Sequence, residues 1–341
     1  MWTEPIVQLV KEHYIGVSVD ARREISRQDP VGEVVRKTQC VTGTAAGQLS
    51  VITPSGKLIG HVPYTVPNEQ LRIKVLQKYL AAFQAMPEED RKPKQPLVGA
   101  PDPKRPLARP PEGTLIVATY NRRFMREPDG TLRYTEEKDY TEGEGKRECL
   151  RFREASKDFM WIPQAEWQAM IPANPHPGQE VPVPTSFTLR LFRYHLDPHR
   201  GLGEGLTYSR VATVDSGQLK LTVEDVTPSE VRLRLEGYAE LVANHLLDIG
   251  KPGPTRPIRY EPAILGFITV DRAKKQITRF DMLALGDAEN APRGVLLGPY
   301  VLAVAFELVD KPTEADLVWP RGARDDLQRY LYPDSPPGAS R

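Results

Sequence analysis

The sequence predicts an α+β protein, with a small α/β part at the N-terminus followed by a mostly antiparallel β sandwich or open barrel. Three observations carry this expectation. Apolar residues recur at helical spacing before the middle of the chain and alternate at strand spacing after it. Between the two patterns, residues 91–111 hold seven prolines and six basic residues against one Asp. Proline at that density blocks both helix and ladder hydrogen bonds, so this stretch reads as an extended linker. The predicted organisation is an N-terminal domain over 1–90, a basic Pro-rich linker over 91–112 and a β-rich domain over 113–335. A chain of 341 residues has room for both domains.

In the N-terminal part, Ile6, Val7, Leu9, Val10 and Tyr14 follow a helical period, with Pro5 suited to a first turn. Tyr14 to Asp20 alternates and reads as a strand. Asp29-Pro30 opens a short helix through about Lys37, since proline fits an early helical position. Gly47 to Gly60 contains two apolar runs around Pro54-Ser55-Gly56, the chemistry of a hairpin. Asn68 can cap a last helix whose apolar stripe is Leu71, Val75, Leu76, Tyr79, Leu80 and Phe83.

After the linker, Thr114–Tyr120, Phe187–Tyr194, Gln218–Val223 and Val231–Val242 read as strands, the last three by alternation. Leu265–Leu285 reads as a hairpin turning at Asp271 to Lys275, and Tyr300–Val309 closes the set. Pro163 to Ile171, with Trp167, is the best helix in this part, and Asp325 to Leu331 a second. Several strands with few helices predict a sandwich or an open barrel.

Composition excludes some classes of function. Lys and Arg total 46 against 45 Asp and Glu, a net charge of +1 that lacks the basic footprint of a general nucleic-acid binder. No run of about 18 apolar residues is present to cross a bilayer as a helix. Glu4, Lys11, Glu12 and Asp20 occupy the stretch where a signal peptide needs an apolar core. The expectation is a cytoplasmic chain as it stands, or a periplasmic or exported one had a leader been removed. Cys40 and Cys149 are the only cysteines and build no zinc motif. Free thiols are expected in preference to a bridge between two domains.

The order helix, strand, helix, hairpin, helix, with its x-Pro-x-Gly-Lys turn, resembles the second half of a thioredoxin-like domain. In that resemblance the first strand and the Cys-x-x-Cys segment are reduced to Met1-Trp2-Thr3-Glu4. The loop Gly43–Gly47 lacks the proline that the family places before its hairpin. What the resemblance implies is a degenerate thioredoxin-like fold without dithiol chemistry. Cys40 lies upstream of that loop and is the one candidate reactive thiol, although no activating partner stands near it in sequence except Arg36 and Lys37. The segments Leu191–His195, Leu233–Gly237, Leu265–Ile268, Thr278–Asp287 and Ala303–Leu308 resemble those of bacterial proteins that pair a thioredoxin-like domain with a C-terminal β-rich domain. That likeness implies an architecture and supplies no mechanism.

Three constellations could carry chemistry. In Arg193-Tyr-His-Leu-Asp-Pro-His-Arg200, the residues His195, Asp197 and His199 would point the same way on an extended strand and could hold a divalent transition metal. Pro198 disturbs that alignment, and a further ligand would have to come from His61, His176 or His245. The alternative is an ordinary polar strand end. Glu236, Glu240, Asp281, Asp287 and Glu307, with Arg279, could perform acid–base hydrolysis or simply decorate a solvent face. Gly201-Leu-Gly-Glu-Gly205 lacks the strand–loop–helix context of a phosphate loop and reads as a turn. Trp161, Trp167, Trp319, Tyr134, Tyr140 and Phe159 could form a ligand surface, or fill the core as aromatic residues usually do. The function expected is non-redox binding or assembly. The alternatives are a metal site and a carboxylate-based hydrolase. A protein partner or a homodimer is expected from the open first-strand edge of the truncated α/β part.

Overall fold

The structure, a computed structural model, describes residues 4–17, 28–39, 49–62, 69–93, 109–142, 149, 155–198, 213–244, 257–290, 296–323 and 327–334. The chain divides into two compact units, Met1–Leu107 and Ala108–Arg341.

The first unit contains α1 (Glu4–His13), α2 (Pro30–Gln39), the antiparallel hairpin β1 (Leu49–Ile52) and β2 (Leu58–Val62), α3 (Glu69–Gln84) and the short α4 (Glu88–Arg91). Asp29 caps α2, its carboxylate accepting the Gly32 N–H at 2.9 Å. The hairpin turns at Gly56, whose φ of +85° is open to glycine at no steric penalty. Ile6, Val51, Val62 and Leu76 form the core, with Tyr14 and Tyr79 packed against it. Both phenols are anchored, Tyr14 donating to the Leu76 carbonyl at 2.6 Å and Tyr79 to the His61 carbonyl at 2.8 Å. One expectation fails: Tyr14–Val17 is not a strand. Alternation without a partner ladder leaves backbone groups unpaired, and here Ile15 stands 92% exposed. The rest of that predicted strand, Ser18 to Asp20, lies outside the described residues, as do Asn68 and most of the linker.

The second unit is built on one antiparallel sheet of nine strands. The strands are β3 (Leu115–Arg126), β4 (Leu132–Tyr134), β5 (Ser156–Ile162), β6 (Glu180–Val181), β7 (Thr213–Val226), β8 (Glu230–Asn244), β9 (Pro257–Asp271), β10 (Gln276–Glu289) and β11 (Tyr300–Leu308). A meander runs from β7 to β11, and β11 then pairs with β3; β4 and β5 share the far side of β3, and β6 pairs with β7. The strands predicted over 114–120, 218–223, 231–242, 265–285 and 300–309 all form, and the hairpin turns where expected, Asp271 accepting the N–H groups of Ala273 and Lys274 at 2.9 Å.

Two expectations are corrected. Among the described residues no second sheet packs on the first to make a sandwich; a helix covers its inner face instead. That helix, α6 (Thr185–Arg190) with a π turn over Leu191–His195, occupies the stretch read as a strand. Phe187, Arg190, Leu191, Phe192, Tyr194, His195, Leu196 and Asp197 are all buried, so apolar residues occur on every side. A helix buried all round loses its 3.6-residue signature, and the alternation is coincidental. Phe187, Leu191, Phe192 and Leu196 pack on the inner face with Leu221, Leu233, Ile264, Ala284 and Leu302. On the other face of β3 and β5, Ile116, Ala118, Phe159 and Trp161 are covered by Ala323, Tyr330 and Leu331. Tyr330 and Leu331 belong to α7 (Leu327–Leu331), and α5 (Gln164–Ala169) is the helix expected around Trp167.

Candidate functional site

Buried polar side chains of the β-rich unit fall into two groups. The first surrounds Tyr330. Arg190, fully buried, forms a two-pronged ion pair with Glu166, with Nη2 to Oε1 at 2.8 Å. It also donates from Nε to the Tyr330 carbonyl at 2.9 Å and from Nη2 to the Leu331 carbonyl at 2.6 Å. One guanidinium thus joins α5, α6 and the last two residues of α7. The Tyr330 hydroxyl accepts the Trp161 backbone N–H at 3.1 Å and lies 2.7 Å from His195 Nε2. With its proton directed at Nε2, the Tyr330 hydroxyl both donates and accepts, answering the Trp161 backbone N–H and the His195 imidazole. Burial raises the Tyr330 pKa, against a lowering by Arg190. Because Tyr330 has no exposed surface, its pairing with His195 is an internal clamp out of reach of a substrate.

The second group lies on the inner face, where β8 and β10 end and β7, β9 and β11 begin. The alternation of β3 turns Val117, Thr119, Asn121 and Arg123 toward the same side. Asn121 stands opposite Val304 and Arg123 opposite Leu302, both inner-face residues of β11. Here an apolar face becomes polar, and Thr119, Asn121 and Arg123 are nevertheless buried. Tyr300 completes the corner, with the Arg123 guanidinium carbon 5.6 Å from its ring centroid. Burial raises the Tyr300 pKa; Arg123 opposes this, while Tyr140 and the Asp197 carboxylate add to it. The Tyr300 hydroxyl and Asn121 Oδ1 have no hydrogen-bond partner among the described residues. Each such buried orphan costs about 1–3 kcal/mol. Tyr140 is held by neighbours: it bridges to Leu296, its hydroxyl donates to Thr135 Oγ1 at 3.1 Å, and the preceding Asp139 accepts from Arg133 at 2.6 and 2.7 Å.

The residues picked out in the sequence are placed differently from expectation. His195 and Asp197 sit on a helical turn and the residues after it, not on an extended strand, so the same-face alignment does not arise. His195 Nε2 is engaged by Tyr330, while Asp197 acts electrostatically on Tyr300. His199, His245, Cys40 and Gly201–Gly205 lie outside the described residues. Among the described residues no group of three His, Cys, Asp or Glu side chains converges as metal ligands would. His61 contacts Ser50 and His176 its neighbour's carbonyl, at 3.1 and 3.3 Å. Cys149 packs, partly buried, against the inner-face core. The carboxylates are spread over the outer face, Asp281 opposite Glu307 and Asp287 in one row with Glu261 and Glu240, and three of them are ion-paired: Asp287 with Arg126 at 2.8 Å, Glu236 with Arg234 at 2.7 Å and Asp281 with Arg279. Trp161, Trp167, Tyr140 and Phe159 are core residues, whereas Tyr134 stacks outside on Phe124 and under Arg122.

Sequence reasoning missed Asn121, Arg123 and Tyr300. Their signal was the polar run Thr119-x-Asn121-x-Arg123 on one parity of an apolar strand. The chain matches no family model, no curated protein and no solved structure. No helix of the described residues is long and apolar enough to cross a membrane.

Proposed function

We propose that the β-rich unit is a binding domain that takes a small polar ligand at the Asn121–Arg123–Tyr300 end of the inner face. The observation that carries this reading is the pair of orphaned buried groups, Tyr300 Oη and Asn121 Oδ1, beside two buried charges of opposite sign, Arg123 and Asp197. Orphaned polar atoms in a well-packed interior mark a place where a partner is still to be supplied. The fitting class is a small neutral polar molecule, a polyol for instance, whose hydroxyl groups can donate to Asn121 Oδ1 and pair with Tyr300 Oη. The test is calorimetric titration of the full chain with a panel of amino acids and small polyols, repeated on Tyr300→Phe. Binding of a panel member that weakens about tenfold in the variant, the value of one good hydrogen bond, supports the reading. Absence of binding across the panel, or affinity indifferent to the substitution, overturns it.

A divalent transition metal on His195, Asp197 and His199 has less support, because Nε2 of His195 is already engaged. Elemental analysis of wild type and His199→Ala decides it, one equivalent lost in the variant being the favourable result. For the N-terminal unit we keep the degenerate thioredoxin-like reading without dithiol chemistry. Its support is the hairpin with a glycine turn followed by α3. Insulin reduction dependent on Cys40 would contradict it.

A further inference from the structure

The outer face of the large sheet carries an apolar patch across β8, β9 and β10: Tyr238, Leu265, Phe267 and Leu283 are 50%, 43%, 38% and 43% exposed. Their register makes the patch continuous. Glu236, Leu265, Leu283 and Ala305 form one row across four strands, flanked by the row Arg234–Phe267–Asp281 on one side and Tyr238–Ala263–Leu285 on the other. Contiguous exposed apolar surface with a polar rim marks an interaction site.

The rim says what it fits. Beyond the Arg234–Phe267–Asp281 row, at the next outward-facing position, stand the basic residues Arg232 and Arg279, both opposite Thr269. The matching position beyond the other flank holds Glu240, Glu261 and Asp287, of which Glu261 and Asp287 are directly paired in register and Glu240 falls opposite Glu261 by the register on either side. Like charges opposite one another on adjacent strands are destabilising, and of the three only Asp287 has an ion pair among the described residues, with Arg126. Inside the patch, Glu236 and Asp281 are already matched by Arg234 and Arg279.

The geometry points to a second copy of this chain as the occupant, bound face to face about a two-fold axis that lies in the interface along the Glu236–Leu265–Leu283–Ala305 row. An isologous interface must be self-complementary, and this axis sets each strand antiparallel over its counterpart. Arg232 then meets Glu240 of the other copy, Arg279 meets Asp287, Arg234 lies over the Tyr238 ring, and Phe267 fills the space above Ala263. Leu265, Leu283 and Ala305 meet their own counterparts on the axis, as does Glu236, whose charge is neutralised within each copy by Arg234 at 2.7 Å. Four strands, each about 4.8 Å wide, and a run of about 3.4 Å per residue from Arg232 to Glu240 give a footprint of roughly 500 Å² in projection. Side-chain relief brings this toward the ~800 Å² per partner of a stable interface.

The test is sedimentation equilibrium and light scattering of the full chain at high micromolar concentration, as wild type, Leu265→Asp, Arg232→Glu, Glu240→Arg and the double charge swap. The expected result is a wild-type dimer, a Leu265→Asp monomer with unchanged circular dichroism, and single charge reversals that each weaken the dimer about tenfold. The double swap restores affinity to near wild type because the Arg–Glu contact is rebuilt with its signs exchanged. A monomeric wild type, including one whose patch is covered by the N-terminal unit or awaits another protein, overturns the proposal. So does a dimer that persists in Leu265→Asp, or one whose double swap is as weak as the sum of its single changes. If Leu265→Asp fails to fold, the charge-swap set, confined to exposed side chains, still decides.

Discussion

Tyr330 and Tyr300 are both buried phenols with pKa values raised by burial, each with an arginine nearby, yet their surroundings differ in kind. The Tyr330 hydroxyl joins a backbone N–H and an imidazole, and its own carbonyl takes the Arg190 Nε–H. The Tyr300 hydroxyl has no hydrogen-bond partner among the described residues. A closed network fixes architecture, because each member is needed to satisfy the others. An open one leaves chemistry for something outside the chain to complete. The clamp therefore reads as structure and the corner as a site.

The comparison breaks most sharply at the centre of the clamp. Arg190→Met leaves Glu166 buried without its partner and strips two carbonyls of α7 of their donor. Removing one member of a buried pair costs about 3–5 kcal/mol. Urea unfolding of the full chain should show its second-unit transition shifted by that amount; a shift below about 1 kcal/mol would mean the ion pair is not the tie that the distances indicate.

Next in size is a matched pair of substitutions. Tyr330→Phe deprives Trp161 N–H and His195 Nε2 of a partner and should cost about 1–3 kcal/mol. Tyr300→Phe removes an orphaned hydroxyl and should be neutral within about 0.5 kcal/mol, or slightly stabilising. Equal losses in the two variants would erase the distinction between clamp and corner. Raised pKa values give the pair a common alkaline signature. The neutral phenol is the form the fold accepts, so the stabilisation is complete below the unfolded tyrosine value near 10 and is lost as pH rises through the folded values. Phenolate absorbance should therefore appear together with unfolding, and ionisation of Tyr330 or Tyr300 without unfolding would contradict their burial.

The strands of the meander were legible because each has one buried and one exposed face, as the strict alternation of β9 shows. The inner helix was not, since eight of the eleven residues from Phe187 to Asp197 are buried and none is exposed, leaving no solvent face to set the period. The corner was hidden by a related ambiguity. In β3 both parities are apolar at first, because Ile116 and Ala118 face one cluster while Val117 faces another. Nothing local tells which side Asn121 and Arg123 take. The clamp was hidden by distance, His195 and Tyr330 being 135 positions apart in the chain. Periodicity carries no information about such pairs, and His195 read alone suggested a metal ligand where it serves as a hydrogen-bond partner.

The smallest effect concerns how the corner is held. Arg133 grips the Asp139 carboxylate with two hydrogen bonds, and this pairing holds its pKa below the usual carboxylate range, resisted by burial and helped by the Glu136 N–H at 2.7 Å. A depressed folded value means the contribution is complete above the unfolded carboxyl pKa and is lost as pH falls through the folded one. Asp139→Asn should thus destabilise by about 1 kcal/mol at neutral pH, as expected for a pair with one partly exposed partner, and should flatten the acid limb of the stability curve. Asp139 also accepts the Leu297 N–H through its carbonyl and immediately precedes Tyr140, so the loosened turn carries Tyr140 with it. Ligand affinity at the Tyr300 corner should then fall by more than the stability loss alone would give. Lys138→Ala is the control, since that ammonium pairs with exposed Glu136 and is the weakest of the groups acting on Asp139. If Asp139→Asn alters the acid limb but leaves affinity untouched, the turn supports the sheet and has no part in the site.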